Sequence, residues 1–555
     1  MRQPLASESS NQRPLRHPLL VVLAVTVIVF SPAVWLPFVR WDDYEAILLN
    51  PMLRGGASRL PQIWKTPYMD LYVPATTTVW WVCARLTAQP NAHVFHALNV
   101  LLHLACAAVV FALLARVVRN PFAAAVGALV FAVHPVQVES VAWASGTKDV
   151  LSGLLVVLAL ERFLAHAEKR LIRNYILATA CFVLAMLAKP SAVVTPLIAL
   201  ALARSCSAST MRRSAGWLLP WVVLTIPCLI WTRSIQTASR VADVPLHLRP
   251  LVALDAIAFY TLKILFPVKL APDYGRAPAY IIAHREIWWT WLIPATVLAI
   301  ALVFRARRMM TGLALFVIGL LPVLGLVRFD FQFLSTTADH YLYVPMVGVA
   351  VIAAAAATRV DRTVGRVIGQ VGIIALATMS LLQLRHWRST HDLLTHTLDV
   401  NPRSFAAANN LAIEAMEKGN APAAIDYATR AVGINRTFGP AYITLATAQL
   451  RQGRVDDAIQ TYRAGIGQAP ADTDLLLNAA ILLAQRNDVN AALKLAERAV
   501  RVAPERPQAR KVLGYLLMAV NRPREALAQF EVVARLDPGD AQAKRAIVQL
   551  RGAPE

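Results

Sequence analysis

Long apolar runs, separated by short stretches rich in arginine, occupy most of the first 384 residues. A hydrocarbon core about 30 Å thick needs about 20 apolar residues in a helix, and each spanning helix must satisfy its own backbone polar groups. The runs therefore predict an all-α, polytopic membrane bundle over 18–384. About eleven crossings are expected, at 19–36, 93–115, 121–135, 150–165, 174–188, 190–203, 215–232, 288–304, 311–327, 340–358 and 367–384.

The arginine-rich connections predict an orientation. Cytoplasmic loops carry an excess of Lys and Arg, and the basic connections alternate correctly if the N-terminal tail, 1–17, is cytoplasmic. The alternation holds only if a twelfth apolar piece, 251–267, does not cross, so a re-entrant or surface helix is expected there. The region after the last span then lies on the periplasmic or luminal side, in the bacterial inner membrane as the expected location.

Charge and cysteine content exclude other classes of protein. The formal net charge is +22, but nucleic-acid binding needs a clustered basic face, and here the cations are spread between apolar runs. No nucleic-acid partner is therefore expected. The five cysteines form no CxxC pair and imply neither a disulfide framework nor a metal site.

The sequence pattern changes after residues 385–403, a connecting segment that is expected to be a linker. From Ser404 it repeats every 34 residues, with small residues and prolines at fixed positions: Ala424, Ala458, Ala492, Ala526, Pro470, Pro504 and Pro538. This period is typical of tetratricopeptide repeats. Four repeats and a capping helix are predicted over 404–551, forming an α-solenoid whose concave face suits an extended peptide. The alternative role is scaffolding without catalysis.

Two adjacent carboxylates, Asp42 and Asp43, follow the first apolar run. Transfer of a group onto a hydroxyl needs a base beside the acceptor, and partial desolvation at the bilayer edge raises the pKa of a carboxylate toward the working range. The pair is therefore a candidate catalytic base. The alternative is a solvated loop outside a helix.

Further ionisable groups lie in the other predicted outer segments, where they are costly and often functional. Glu139 would hold an acceptor or a metal, and Lys148 would bind an anion unless it merely neutralises Asp149. The remaining candidates have alternative explanations. A lysine can extend its ammonium to the lipid headgroups, and a tyrosine can belong to the aromatic belt at the membrane surface. Those candidate phosphate-binding residues are Lys189, Arg328, His340 and Tyr341.

A polar stripe opens the second predicted span. His96, Asn99 and His103 have the spacing of one helix face. They would either face a site or a metal ion, or form hydrogen bonds between helices inside the bundle, and the second interpretation is favoured.

Taken in order, these motifs carry a family resemblance. The stretches WDD, HVFHALNVLLH, HPVQVESVAW with KDVLS, LAKPSAVVTP and DHYLYVP, followed by the repeats, resemble the transmembrane and tetratricopeptide-repeat O-mannosyltransferase family of the GT-C class, related to protein O-mannosyltransferases. The resemblance is expected to span essentially the whole chain. It implies an inverting membrane enzyme that passes a sugar, mannose by the family's name, from a polyprenyl phosphate to a hydroxyl, such as that of a protein Ser or Thr, on the non-cytoplasmic side.

The resemblance also implies residue roles. Asp42 or Asp43 sits where the class keeps its catalytic acidic residue, and Glu139 matches a second acidic position. His340 stands where relatives tend to have Arg, which implies a weaker or pH-dependent phosphate contact. No cofactor is required for such a transfer, although a divalent metal ion on Asp42, Asp43 and Glu139 stays open.

Three other functions stay open on the sequence. A membrane-anchored scaffold would gather partners on its repeats without any transfer reaction. A transporter would place ionisable residues near the bilayer midplane, whereas here they gather at the outer edge. A polymerase or ligase of lipid-linked glycans would accept a glycan instead of a protein.

Overall fold

The computed structural model describes residues 13–206, 208–236, 241–303, 307–359 and 362–552. Within these ranges the regular elements are helical, apart from an isolated bridge between Tyr68 and Leu71. The chain divides into two compact units, Met1–Pro402 and Arg403–Glu555. The all-α fold class is therefore confirmed. Most of the predicted cytoplasmic tail, residues 1–12, lies outside the described residues.

The first unit consists of helices of very different lengths. In chain order they are α1 (Arg13–Phe30), α2 (Leu60–Ile63), α3 (Pro74–Cys83), α4 (Ala92–Val118), α5 (Pro121–Val133), α6 (Val138–Ala142), α7 (Thr147–Lys169), α8 (Ile172–Ala188), α9 (Thr195–Cys206), α10 (Ala208–Ile235), α11 (Arg249–Leu265), α12 (Pro278–Ala283), α13 (Leu292–Val303), α14 (Arg307–Leu320), α15 (Met346–Ala357), α16 (Arg362–Leu384) and α17 (Thr390–Val400). Short 3₁₀ turns join several of them.

Side-chain caps explain where several of these helices begin. Asn91 accepts a hydrogen bond from the backbone N–H of His93 and so starts α4. Asn120 does the same for α5, with Pro121 at the first helical position, where its missing N–H costs nothing. α4 ends at Arg119 in the left-handed conformation, with φ 54°. These local signals set the ends of the apolar helices that surround the outer loops.

Six segments of the described residues are long and apolar enough to cross a membrane, which confirms the membrane character of the first unit. They are Leu15–Trp35, Ala92–Val118, Ala144–Lys169, Ser214–Ile235, Glu286–Val303 and Arg366–Trp387. The pair α5 and 135–142, bent by 50°, would make a seventh. The other expected crossings fall on α8, α9, α14 and α15, which have 12 to 17 residues and are short for a 30 Å core. The count of eleven therefore stays a prediction.

The piece 251–267, expected not to cross, lies mainly in α11, which has 17 residues. Its Asp255 is buried and forms an ion pair with Arg276 at 2.7 Å. Its Lys263 donates hydrogen bonds to the carbonyls of Val268 and Lys269. The charges of Asp255 and Lys263 are thus satisfied by the loop that follows α11, and the position of this piece relative to the membrane stays a prediction.

Residues 385–403, expected to be a linker, are mostly helical. They contain a 3₁₀ turn, Arg385–Trp387, and α17. The Ser389 side chain accepts a hydrogen bond from the backbone N–H of Asp392 and starts α17. The serine cap favours the start of this helix, and burial of Leu393, Leu394 and Leu398 stabilises it.

The second unit contains four helix pairs and a last single helix. They are α18 (Phe405–Glu417), α19 (Ala421–Ile434), α20 (Gly439–Arg451), α21 (Val455–Gln468), α22 (Thr473–Gln485), α23 (Val489–Val502), α24 (Pro507–Ala519), α25 (Pro523–Leu536) and α26 (Ala541–Arg551). The repeated alanines at 424, 458, 492 and 526 are fully buried, so the helices of each pair approach closely. The predicted helical repeats are confirmed.

Candidate functional site

The two adjacent carboxylates of the first outer loop have different surroundings. Asp43 is completely buried. Its Oδ1 accepts hydrogen bonds from the backbone N–H of Ser145 at 2.8 Å and from the Ser145 hydroxyl at 2.6 Å, and its Oδ2 accepts one from the backbone N–H of Val39 at 3.0 Å. Burial raises the pKa of Asp43 to about 6, although these hydrogen bonds lower it. Asp43 therefore ties its loop to the turn before α7.

Asp42 is only half-buried, and its carboxylate makes no hydrogen bond within the described part of the chain. Desolvation raises its pKa above the ordinary value, the nearby Lys148 lowers it, and Glu45 raises it further. A carboxylate with free lone pairs and a raised pKa is suited to accept a proton. Of the two aspartates, Asp42 therefore stays the candidate base, whereas the oxygens of Asp43 are occupied by donors of the protein.

Lys148, in the first turn of α7, does not neutralise the neighbouring Asp149. Its ammonium lies 4.4 Å from the centroid of the Trp143 ring, and no ion pair involves it among the described residues. It is near enough to influence the ionisation of both Asp42 and Lys189. Lys148 is therefore a cation available to a ligand between these two groups.

Asp149 forms its ion pair with Lys189, the residue between α8 and the 3₁₀ turn 190–194. Burial lowers the pKa of Lys189, while Asp149 raises it. The Lys189 ammonium also lies 5.1 Å from the centroid of the Tyr341 ring. The second oxygen of Asp149, Oδ2, is buried without a hydrogen-bond partner.

Glu139, on α6, is buried against the turn that precedes α15. Its Oε1 lies 2.6 Å from His340 Nδ1, and its Oε2 accepts a hydrogen bond from the backbone N–H of Asp339 at 3.2 Å. Asp339 is also buried and accepts a hydrogen bond from the Tyr274 hydroxyl at 2.7 Å. Burial raises the pKa of Asp339 to about 7, although Tyr274 and Lys263 lower it.

Some of these groups line one small recess of about 30 Å³, room for about two water molecules. Side chains from four segments line it: Asp149, Ser152, Lys189, Thr195, His340 and Tyr341. A phosphate or sugar group would enter only with movement of these side chains. The recess brings together residues that lie far apart in the sequence and that were proposed separately as anion-binding groups.

Close packing fixes the position of the recess walls. Gly153 of α7 lies against the aromatic ring of Tyr343, and a Cβ added at Gly153 would collide with that ring. The Tyr343 hydroxyl lies 2.8 Å from His103 Nδ1. Tyr343 therefore joins α7 to α4 directly beneath the recess.

The polar stripe of α4 makes hydrogen bonds inside the bundle. Asn99 donates to the carbonyl of Trp143 at 2.8 Å and accepts from the Thr147 hydroxyl at 2.6 Å. His103 Nε2 lies 2.9 Å from the carbonyl of Ala132, and His96 Nε2 lies 3.3 Å from the carbonyl of Pro37, while its Nδ1 has no partner. Asn99 thus holds the turn before α7, while His103 and His96 bind carbonyl groups of α5 and of the segment after the first apolar helix.

Arg328 lies apart from this group. Its guanidinium is 3.7 Å from a carboxylate oxygen of Asp243. Conversely, sequence reasoning missed Ser145, Asp339 and Tyr274, whose hydrogen bonds hold the site. The DHYLYVP stretch contains Asp339, so this residue was within reach of the motif, whereas nothing in the sequence marked Ser145 or Tyr274.

Metal ligation has no ready site here. Over the described ranges, no group of three or more His, Cys, Asp or Glu side chains is arranged to hold a metal ion. Asp43 uses both of its oxygens on donors of the protein, and Glu139 does the same.

Comparison with known proteins gives two separate kinds of match, one to the repeats and one to membrane O-mannosyl-transferases. Residues 415–481, 483–550 and 379–440 match family models described as tetratricopeptide repeat. The C-terminal unit is a tetratricopeptide-repeat solenoid. Among solved structures, the repeats are similar to YrrB, "a TPR protein with an unusual peptide-binding site" (20% identical, TM-score 0.25, covering 28% of this chain and 81% of that one), and to MamA (17%, 0.24, 28% and 84%).

Curated relatives carry the name of the family expected from the motifs. A Caenorhabditis elegans protein O-mannosyl-transferase, F38B6.6, is 26% identical over 224 residues, which are 37% of this chain and 31% of the relative. The human protein O-mannosyl-transferase TMTC1 is 34% identical over 129 residues, 21% of this chain and 14% of the relative. This chain resembles the TMTC-type O-mannosyltransferases. The similarity spans about a third or less of the length of these relatives, not essentially the whole of this chain.

Proposed function

We propose that this protein is an integral-membrane glycosyltransferase that moves a sugar from a polyprenyl phosphate to a hydroxyl of an acceptor protein. The observation that carries the proposal is Asp42, a half-buried carboxylate with no hydrogen-bond partner among the described residues and a raised pKa, close to the unpaired cation Lys148. The similarity to the TMTC-type O-mannosyltransferases supports the same reaction class. We further propose mannose as the sugar and a GT-C-type, inverting transfer.

In this mechanism Asp42 takes the proton of the acceptor hydroxyl as its oxygen attacks the anomeric carbon. Asp43 and Ser145 hold the loop so that the Asp42 carboxylate stays at the attacking side. A general base of this kind contributes about 10²–10⁴-fold to the rate. Only its ionised form is active, so transfer should increase as the pH rises through the raised pKa of Asp42.

The departing group is a phosphate, whose low basicity makes a strong general acid unnecessary. What it needs is stabilisation of the developing negative charge by cations already in place. Lys148 and Lys189 supply these cations beside the recess, and the first turn of α7 adds the positive end of its helix dipole. Lys189 is already balanced by Asp149, so Lys148 is the principal contact in this proposal.

The location follows from the positive-inside pattern and is part of the proposal. We propose that the N-terminus is cytoplasmic and that both the site and the repeats face the periplasm, in a bacterial inner membrane. The repeats would bind an extended segment of the acceptor protein, as solenoids of this type suit. No cofactor is required for the steps described.

The proposal is tested by measuring transfer from a panel of polyprenyl phosphate sugars with the full chain in lipid. Acceptors are analysed by mass spectrometry for added sugar. The variant Asp42→Asn should lose about 10²–10⁴-fold in rate while keeping its fold. Asp70→Asn is the matched control, because Asp70 is exposed and has a left-handed φ of 55° that Asn also tolerates.

Two outcomes would overturn the proposal. One is that no donor of the panel is consumed by the folded protein. The other is that Asp42→Asn transfers sugar as fast as the wild type and the Asp70→Asn control. In either case a membrane-anchored repeat scaffold becomes the better description of the protein.

A further inference from the structure

Three titratable side chains lie at or next to the recess and have no part in the transfer step described above. They are Glu139, Asp339 and His340, and each is buried. The Glu139 Oε1 is 2.6 Å from His340 Nδ1, and its Oε2 accepts a hydrogen bond from the backbone N–H of Asp339. Ionisable groups are costly to bury, so three of them this close together need a reason.

The imidazole of His340 connects this set to the recess. One ring nitrogen, Nδ1, faces Glu139, whereas Nε2 has no hydrogen-bond partner within the described ranges. The same ring lines the recess beside Lys189 and Tyr341. A ligand in the recess therefore meets a histidine nitrogen whose opposite side is held by a carboxylate.

The charges around His340 come from several elements. Glu139 lies on α6, Lys148 and Asp149 lie on α7, Lys189 lies in the turn after α8, and Asp339 and Tyr341 are its own neighbours. The groups that act on Asp339 are Tyr260, Lys263 and Tyr274. Burial lowers the pKa of His340, and the ammonium groups of Lys189 and Lys148 lower it further. At the same time, Glu139 and Asp339 are neighbouring buried carboxylates that resist simultaneous ionisation.

An anion in the recess changes this balance. It would neutralise the lysines that oppose protonation of His340, and it would itself attract the imidazolium. A proton on Nε2 would then donate to the anion, while Nδ1–H donates to Glu139. Such a bond between ionised partners is about twice as strong as a neutral one.

We infer that binding of a phosphate anion in the recess is coupled to the uptake of one proton from solvent by the Glu139–His340–Asp339 group. The inference deepens the proposed function and rests on it only in assigning the phosphate to this recess. No covalent bond changes, and the proton returns to solvent when the anion leaves. By linkage, the affinity for the anion rises as the pH falls, by at most about tenfold per pH unit for one proton.

The probe for this inference is dibutyl phosphate, a phosphodiester like the donor. It carries one negative charge across neutral pH, whereas a phosphate monoester would add its own ionisation with a pKa near 6. Titration calorimetry of the full chain in lipid is repeated in buffers of different ionisation enthalpy, which gives the number of protons taken up per anion bound. About 0.3 to 1 proton is expected for the wild type, since one linked group binds at most one.

Three variants test whether the protons are taken up by the Glu139–His340–Asp339 group or elsewhere in the protein. His340→Gln should bind dibutyl phosphate more weakly and with almost no proton uptake. Glu139→Gln keeps a hydrogen-bonding partner for Nδ1 but removes the carboxylate, so the uptake should also fall. His93→Gln is the matched control, because His93 is an exposed histidine at the start of α4, away from the recess. Its proton uptake should equal that of the wild type.

The inference is overturned if the wild type does not bind the probe, binds it without proton uptake, or if both His340→Gln and Glu139→Gln take up as many protons as the wild type. These results are independent of the transfer assay. Sugar transfer that depends on Asp42, together with binding but no proton uptake, would leave the proposed function intact and remove the inference alone. Proton-coupled binding of dibutyl phosphate by a protein that consumes no sugar donor would remove the proposed function and leave the inference intact.

Discussion

The two units of this chain place their charged side chains in opposite ways. In the first unit, carboxylates such as Asp43, Glu139 and Asp339 lie inside the protein, where they meet backbone N–H groups and other side chains. In the second unit, most of the described ion pairs lie at the surface, as in Arg454 with Asp457 and Arg522 with Glu525. Both units are helical, so the difference does not come from secondary structure.

The difference teaches where function is to be sought in a helical membrane protein. Surface ion pairs contribute little to stability, about 0–1 kcal/mol each, and they keep the repeats soluble. Buried ionisable groups cost free energy unless they are satisfied, and perturbed pKa values cluster at functional sites. The following changes test whether the two units respond as differently as this contrast predicts.

The largest expected effect on stability is in the core of the repeats. Phe530 is fully buried and packs against Tyr515, with ring centroids 5.1 Å apart. Phe530→Ala should cost about 3–5 kcal/mol, because it leaves a cavity between helices. Hydrogen exchange of the full chain, followed by mass spectrometry, should show faster exchange in α24, α25 and α26. Equal exchange rates in the variant and the wild type would mean that this core is not the source of stability.

A smaller effect is expected from the buried hydrogen bonds of the first unit. Asp43→Asn keeps one oxygen but turns an N–H₂ group toward donors, either Ser145 or Val39. The loss should be about 1–3 kcal/mol, because a buried donor is left unsatisfied. Thermal unfolding in detergent, followed by tryptophan fluorescence, measures it, and Asp70→Asn is again the control. A melting temperature equal to that of the wild type would show that these hydrogen bonds are dispensable.

The two units contain carboxylates whose pKa values are shifted in opposite directions. The pKa values of Asp43 and Asp339 are raised in the folded state, to about 6 and about 7, so these two groups take up protons on folding as the pH falls from 7 to 5. Their own contribution to the stability of the first unit should therefore rise over this range, by about 1 kcal/mol from Asp43 alone, whereas His340, whose pKa is lowered by burial, acts in the opposite direction. In the repeats, Lys511 lowers the pKa of Asp540, so that contribution is lost only in stronger acid.

Hydrogen exchange at pH 7 and pH 5, corrected for the intrinsic rate, distinguishes the two units within one sample. Asp43→Asn should remove part of the pH dependence of the first unit and leave the repeats unaffected. The same pH dependence of exchange in the wild type and in Asp43→Asn would contradict the raised pKa of this buried carboxylate.

The smallest effect is expected at a surface ion pair. Arg454 lies 2.7 Å from Asp457 on the surface of the repeats. Arg454→Ala should change stability by less than about 0.5 kcal/mol, because water screens such a pair. Chemical unfolding of the full chain, with the protection of α21 as the readout, should barely distinguish it from the wild type. A loss above about 1 kcal/mol would remove the contrast between the units.

The repeats were predictable because their fold is encoded locally. The 34-residue period, the buried alanines and the turn residues recur in each unit. Gly419 and Gly453 have a left-handed φ, and Asn487 and Asn521 adopt the same conformation at the equivalent turn. Each repeat packs only against its neighbours, so the sequence pattern alone determines the helix pairs.

The candidate site was only partly predictable, because its contacts are long-range. Glu139 and His340 are about 200 residues apart in the chain, and each was identified by its type and outer location, not by a partner. The sequence did not distinguish Asp42 from Asp43, since the difference depends on Ser145. It also assigned Arg328 to a phosphate, although this residue pairs with Asp243.

The contact between Gly153 and Tyr343 has a mechanical consequence. Gly153 is five residues after Lys148 on α7, and Tyr343 is three residues after His340, so the contact joins the helix that carries the cation to the turn that carries the histidine. Because a Cβ at Gly153 would collide with the Tyr343 ring, only glycine at this position lets α7 and the turn before α15 keep their present separation. The width of the recess between them therefore depends on the absence of one methyl group.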